Sequence, residues 1–260
     1  MPPVRSVWPG PKARAAAALV VVLLLGGCTF RTAAATDIPR PAASTIAVIG
    51  DSISADLATD LRRRDFDGPA GVTWSITAQT GAGWGEGLNA QGNWPLEVVQ
   101  GNWAAAQVDT AANAHPSAVV IELGTNDALR AAFAFVANSS TDLAARLTGT
   151  RNNISSVVRD ASSLSKCVVL VTPSYYPPTT FGAEVHYTQQ AWGIRSQLLQ
   201  QVSMRHGRTV AIADWAALSS PHHLQSGAPG TWFVGDGLHP NISGERALAA
   251  LIVQTVNGCS

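Results

Sequence analysis

The chain has 260 residues, 17 basic and 17 acidic side chains, a formal net charge of zero, and 46% hydrophobic residues. With 15 prolines and 23 glycines, this composition suits one globular domain with a sizeable core and excludes a disordered chain. No basic patch or stripe points to nucleic acid as a partner.

Arg5, Lys12 and Arg14 precede an unbroken apolar run from Ala15 to Leu25, too short to span a bilayer but suited to the h-region of a secretory signal. The run ends in Leu25-Gly26-Gly27-Cys28, which resembles the bacterial lipoprotein signal. That resemblance implies removal of residues 1–27, lipidation of Cys28 as the new first residue, and a membrane anchor facing outward. The other reading is a plain secretory leader that contains Cys28. A chain cut before Cys28 keeps 14 basic and 17 acidic residues, a net charge of −3. Residues 28–43, rich in Ala, Thr and Pro without periodicity, then read as a flexible tether, and residues 44–260 as the folded domain.

The β-branched run Thr45-Ile46-Ala47-Val48-Ile49 reads as a buried strand that leaves the core at the sharp turn Gly50-Asp51-Ser52, and Ala55 to Arg64 has helical composition. Val72 to Thr77 alternates like a second strand and runs into the glycine-rich stretch Thr80-Gly81-Ala82-Gly83-Trp84-Gly85. Pro95 to Ala114 reads as helix, interrupted by Gly101, and Ala118 to Leu123 as a third strand ending in Gly124-Thr125-Asn126-Asp127. Leu143, Leu147, Ile154, Val157, Val158 and Ala161 share one helical face. Cys167 to Thr172 forms a fourth strand stopped by Pro173, a helix spans Glu184 to Arg205, and Thr209 to Ala213 makes a fifth strand. A long loop from Asp214 to Asn241 carries Asp236 and His239, and Leu248, Leu251, Ile252 and Val256 stripe a closing helix. This alternation predicts an α/β fold, a parallel sheet with helices on both faces. The polar strings at 50–52, 81, 126 and 236–239 all follow strands, so they converge on the sheet's carboxyl edge.

Gly50-Asp51-Ser52, a glycine after the second strand, Gly124-Thr125-Asn126-Asp127, and Asp236-Gly237-Leu238-His239 together resemble the SGNH hydrolase superfamily, also called GDSL esterases and lipases. Four such strings in order are specific where each alone is weak. The resemblance covers essentially the whole domain. It implies a three-layer α/β/α, flavodoxin-like fold with a five-stranded parallel sheet, and ester hydrolysis without metal or organic cofactor. By the same resemblance Ser52 is the nucleophile, His239 its base, Asp236 the residue that orients His239, and the oxyanion hole consists of Ser52 N–H, Gly81 N–H and the Asn126 amide. Gly83 is the alternative to Gly81.

The chemistry asks for these residue types on its own account. A serine hydroxyl attacks an ester only when a base takes its proton, and a carboxylate beside the histidine fixes its tautomer. An asparagine donates to an oxyanion without a charge to desolvate. Ser54 stands where the elbow Gly-x-Ser-x-Gly would need its second glycine, and no P-loop occurs. His222, His223, Asp236 and His239 share one loop, yet adjacent histidines rarely reach one ion, so no metal is expected, and His222 and His223 read as solvent-exposed loop residues. Asp51 and Asp127 read as carboxylates that hold their own turns through nearby backbone. Trp84, Trp94, Trp103 and Trp232 lie in or near loops around the expected cleft, and Trp84, Tyr175 and Trp232 are the residues expected to contact substrate, with Tyr176 beside Tyr175. In an oxidising compartment Cys167 and Cys259 are expected to pair, two free buried thiols being the alternative.

The expected protein is a monomeric, exported serine esterase acting on O-acyl groups of envelope carbohydrate. Lipid esters, acyl transfer to a sugar hydroxyl through the same residues, and a non-catalytic glycan-binding lipoprotein remain alternatives.

Overall fold

The computed structural model describes residues 44–63, 71–84, 103–136, 140–175, 184–204, 209–224 and 227–259. Residues 1–43, where a signal, the lipidated Cys28 and a tether are expected, lie outside these residues, as do Trp94 and Tyr176, and of Trp103 only its place at the start of a helix is described. Five strands form one parallel sheet: β1 Ser44–Gly50, β2 Val72–Ala78, β3 Ala118–Glu122, β4 Cys167–Val171 and β5 Thr209–Ala213. Their order is β2-β1-β3-β4-β5, so the sheet reverses direction of growth between β1 and β3. In register, Gly50 lies between Ala78 and Glu122, which puts the ends of three strands side by side at the point where such sheets place their ligands.

Alternation along each strand divides the core in two. Ala47, Ile49, Val119, Ile121, Val168 and Leu170 face the layer made by α2 (Trp103–Ala112), α3 (Thr125–Val136), α4 (Ser140–Leu164) and α5 (Glu184–Ser203). Ile46, Val48, Val120, Val169 and Val171 face α1 (Ser52–Arg63) and α7 (Ile242–Asn257), which contribute Ile53, Leu57, Leu248 and Ile252. β3 and β4 are buried along their whole length, as strands covered on both faces must be.

The expected three-layer architecture is present, with three differences in detail. Helix α1 begins at Ser52, three residues before the expected start, so Ser52 occupies the first helical turn. Residues 125–136, which carried no predicted element, form α3. Thr-Asn-Asp has turn chemistry in isolation, but here Ala128, Leu129 and Ala132 bury one helical face in the core. The loop from Asp214 to Asn241 contains the short helix α6 (Trp215–Ser219) and a 3-10 turn at Ser220–His222. Buried Trp215 anchors it in the layer of α1 and α7.

Cys167 and Cys259 form the expected disulfide, with Cα atoms 5.7 Å apart and a sequence separation of 92. It fastens the start of β4 to the turn after α7, so the last helix cannot peel from the sheet without opening a long loop. Reduction, or the Cys259→Ser substitution, is expected to lower the unfolding free energy by about 2–4 kcal/mol. Urea denaturation with and without reductant measures this.

Candidate active site

The site starts from a backbone constraint at Gly50. A Cβ there would lie 2.1 Å from Ser54 Oγ and 3.0 Å from the Glu122 carbonyl, so only glycine lets the turn close this tightly. Gln107 of α2 donates from Nε2 to the Gly50 carbonyl at 3.0 Å and accepts the Gly50 N–H at Oε1 at 2.8 Å. Asp51 caps α1: its Oδ1 accepts the Ile53 N–H at 3.0 Å. Ser52 is thereby held at a helix N-terminus, where aligned peptide dipoles favour developing negative charge. The N–H groups of Ser52 and Gly81 find no acceptor among the described residues.

His239 reaches Ser52 from the far end of the chain. Its Nε2 lies 2.9 Å from Ser52 Oγ and its Nδ1 2.6 Å from Asp236 Oδ2. Asp236 Oδ1 also accepts the N–H groups of Leu238 at 2.8 Å and His239 at 3.0 Å. With Nδ1–H donated to Asp236, Nε2 is free to accept the serine proton. The loop that presents the histidine is pinned to both cores, through Phe233 on one side of the sheet and Leu238 on the other. A bridge between Phe233 and Pro240 closes it, Val234 N–H donates to the His239 carbonyl at 2.9 Å, and Gly237 turns with φ +71°. Asn241 then caps α7 by accepting from Ser243 and Gly244.

The third contribution comes from the start of α3. Asn126 Nδ2 donates to Ala82 O at 2.9 Å and to Asp51 Oδ2 at 3.0 Å, while Asp127 Oδ2 accepts the Trp84 N–H at 3.0 Å. Both amide hydrogens of Asn126 are therefore engaged, and an oxyanion at Nδ2 must share one of them or displace Asp51 or Ala82. Gly81 takes φ +79° in the same loop, a conformation that favours glycine.

Of the three residues expected to contact substrate, Trp84 is fully buried. It is 0% exposed, its Nε1–H donates to the Leu123 carbonyl at 3.1 Å, and it belongs to the core between β3 and the glycine loop. Trp232 stacks between Trp215 and His222, at 5.9 and 3.5 Å between ring centroids, and so packs the loop that carries His239. Tyr175 stacks face to face on Trp192 at 4.2 Å, and Trp192 is 48% exposed. His222 and His223 are not the freely solvated residues expected. Both are partly buried, with His222 Nδ1 3.1 Å from the Gly230 carbonyl and His223 Nε2 3.0 Å from the Gly237 carbonyl. Asp51 and Asp127 do bond backbone N–H groups as expected, and Asp51 in addition reaches across to Asn126.

The sequence reading assigned no role to Gln107, Ser54 or Glu122. Glu122 carried a signal, a carboxylate closing the apolar run Ala118-Val119-Val120-Ile121. Gln107 carried none, because its value lies only in its distance from Gly50.

The electrostatics follow from these contacts. The hydrogen bond from His239 to Asp236 raises the imidazole pKa against the opposing effect of burial, and the charges of Asp236, Asp56 and Asp51 add to the rise. Burial alone would raise Asp236, but the bonds from the His239 ring and the Leu238 and His239 N–H groups prevail and bring it down to about 2. Asp236 thus stabilises the fold above its ordinary 3.8, a contribution lost as pH falls through about 2. His239 contributes below its ordinary 6.5, and this is lost as pH rises through its raised value. In Asp236→Asn the His239 pKa is expected to fall towards or below 6.5, read from the imidazole proton resonances in an NMR titration.

The GDSL-like lipase/acylhydrolase family matches residues 48–247, a span that includes Ser52, Gly81, Asn126, Asp236 and His239. No curated protein matches the chain. Among solved structures, LAE5, an α/β hydrolase enzyme from the metagenome of Lake Arreo in Spain, is similar at 18% identity and a TM-score of 0.53, over 86% of this chain and 99% of that one. The acetylxylan esterase Axe2 from Geobacillus stearothermophilus is similar at 14% identity and a TM-score of 0.51, over 83% and 94% of the two chains. The fold is shared with these proteins, and the family match across most of the chain makes this protein a member of the GDSL-like lipase/acylhydrolase family, a carboxylic ester hydrolase.

Proposed function

We propose that the protein is an exported serine esterase that removes small acyl groups from carbohydrate of the cell envelope, working through an acyl-enzyme on Ser52. The observation that carries the mechanism is the aligned series Ser52 Oγ, His239 Nε2, His239 Nδ1 and Asp236 Oδ2, with separations of 2.9 and 2.6 Å across its two hydrogen bonds. His239 takes the serine proton as Oγ attacks the ester carbonyl, and Asp236 stabilises the imidazolium that forms. The N–H groups of Ser52 and Gly81 and the amide of Asn126 receive the oxyanion. Each such donor is worth roughly 3–4 kcal/mol of barrier. Collapse of the tetrahedral intermediate breaks the ester C–O bond, and His239 returns the proton to the leaving alcohol. Water then attacks the acyl-serine with His239 as base, which releases the acid and restores Ser52.

Two observations support carbohydrate as the substrate class. Trp192, half exposed, with Tyr175 stacked on its ring just beyond the end of β4 and the Arg195 guanidinium over it at 5.6 Å, offers aromatic surface of the kind that packs on sugars. The acetylxylan esterase from Geobacillus stearothermophilus has the same fold. Export rests on the sequence of residues 1–28, with Cys28 as the proposed lipid attachment point.

Hydrolysis of p-nitrophenyl esters of increasing acyl length tests the reading. The acetate is expected to turn over fastest, and Ser52→Ala to lower kcat by about 10⁴-fold or more. Equal rates in both proteins overturn the esterase mechanism, and a preference for long acyl chains moves the substrate class to lipids. Tritiated palmitate is expected to label the chain in cells and Cys28→Ala to abolish the label, which checks the anchor separately.

A further inference from the structure

Beneath the nucleophile lies a second set of carboxyl groups that the mechanism above does not use. Asp51 is completely buried and Glu122 nearly so, and the register that sets Gly50 beside Glu122 brings the two carboxyl groups close enough for the charge of one to act on the other. Two carboxyl groups this close and this deeply buried do not both ionise, so one of the pair keeps its proton. Ser54 Oγ donates to Glu122 Oε2 at 2.9 Å, and Asp51 receives the Ile53 N–H and the Asn126 amide. A protonated Glu122 donating to an ionised Asp51 satisfies this arrangement, and two bare carboxylates do not.

We propose that Asp51 and Glu122 hold one proton between them and act together as a clamp that positions Asn126 for the oxyanion. This rests on the reading of Asn126 as an oxyanion donor. The clamp ties the turn before α1 to the end of β3 and the start of α3, the three segments that frame the reacting carbonyl. Through Asn126 and Ala82 it reaches the glycine loop as well. The ionisation states agree with the geometry. Burial, offset in part by the Ile53 N–H and Glu122 bonds and the His239 charge, raises Asp51 to about 6. Burial and the Asp51 charge push Glu122 well above its ordinary range. The other titratable groups facing the pair are His239, Asp127 and Tyr187, the last donating its hydroxyl to the Ser174 carbonyl at 3.1 Å.

The test combines a double-mutant cycle with spectroscopy on the whole protein. Asp51→Asn places an amide N–H against a donor, so kcat for p-nitrophenyl acetate is expected to fall about 10²-fold with KM changed less than about 3-fold. If Asp51 acts through Asn126, the substitution loses most of its effect once the amide is gone. Asp51→Asn combined with Asn126→Ala then keeps kcat within about 3-fold of Asn126→Ala alone. Glu122→Gln, which can still donate to Asp51 and accept from Ser54, is expected to recover most of the kcat lost in Glu122→Leu. The infrared carbonyl band of a protonated carboxylic acid is expected in the wild type at neutral pH and is lost in Glu122→Gln, which decides the shared proton even if Asp51→Asn fails to fold. Absence of that band, or effects of the two substitutions that multiply, overturn the clamp. Ser52→Ala measured alongside separates the readings: if it keeps activity the active site itself is misassigned, and if it is inactive while Asp51→Asn is unimpaired only the clamp fails.

Discussion

The amide of Asn126, bonded at once to Asp51 and to the carbonyl of Ala82, is the contact on which the arrangement of the site depends. Asp51 follows β1, Ala82 follows β2 and Asn126 follows β3, so one planar group fixes the relative positions of three strand ends. Neutral amide hydrogens can serve two acceptors in this way without the desolvation that a lysine would incur there. The glycine at position 50 permits the approach, and Gln107 matches both polar groups of that residue.

The histidine is delivered by different means. Among the described residues its loop pairs with no strand of the sheet, yet it is anchored by Phe233 and Leu238 in opposite cores and closed by backbone hydrogen bonds around His239. Trp232 completes the support by stacking between Trp215 and His222. Polar and aromatic residues that look, in the chain, like lining of a cleft are here the packing that keeps the general base at hydrogen-bond distance from a serine 187 residues away in sequence. A base held in this way needs little reorganisation when the proton moves, which is where enzymes gain from rigid supports.

Burying two carboxyl groups under a nucleophile costs stability unless each is paired, and the chain offers them Ser54, Ile53 and Asn126. The resulting charge also bears on the base, since Asp51, Asp56 and Asp236 all favour the protonated imidazole. Acid–base behaviour at His239 is therefore a property of α1 and the turn before it as well as of its own loop.

Much of this was legible in the residues alone. Strand and helix periods are short-range properties of the chain, so the five strands, the parallel sheet and the convergence of Ser52, Gly81, Asn126, Asp236 and His239 on one edge could be read from order and spacing. Cys167 and Cys259 could be paired because few alternatives existed. Helix α3 was not legible, since Thr-Asn-Asp has turn propensity and only burial of Ala128, Leu129 and Ala132 overrides it. Nor were the burial of Trp84, the stacking of Trp232, or the bonds of Gln107 and Glu122, because a side chain's partner across the sheet leaves no periodic trace in sequence. Residue type and order determined which groups could do the chemistry; three-dimensional packing decided which of them touch, and hence which polar groups work and which merely hold the others in place.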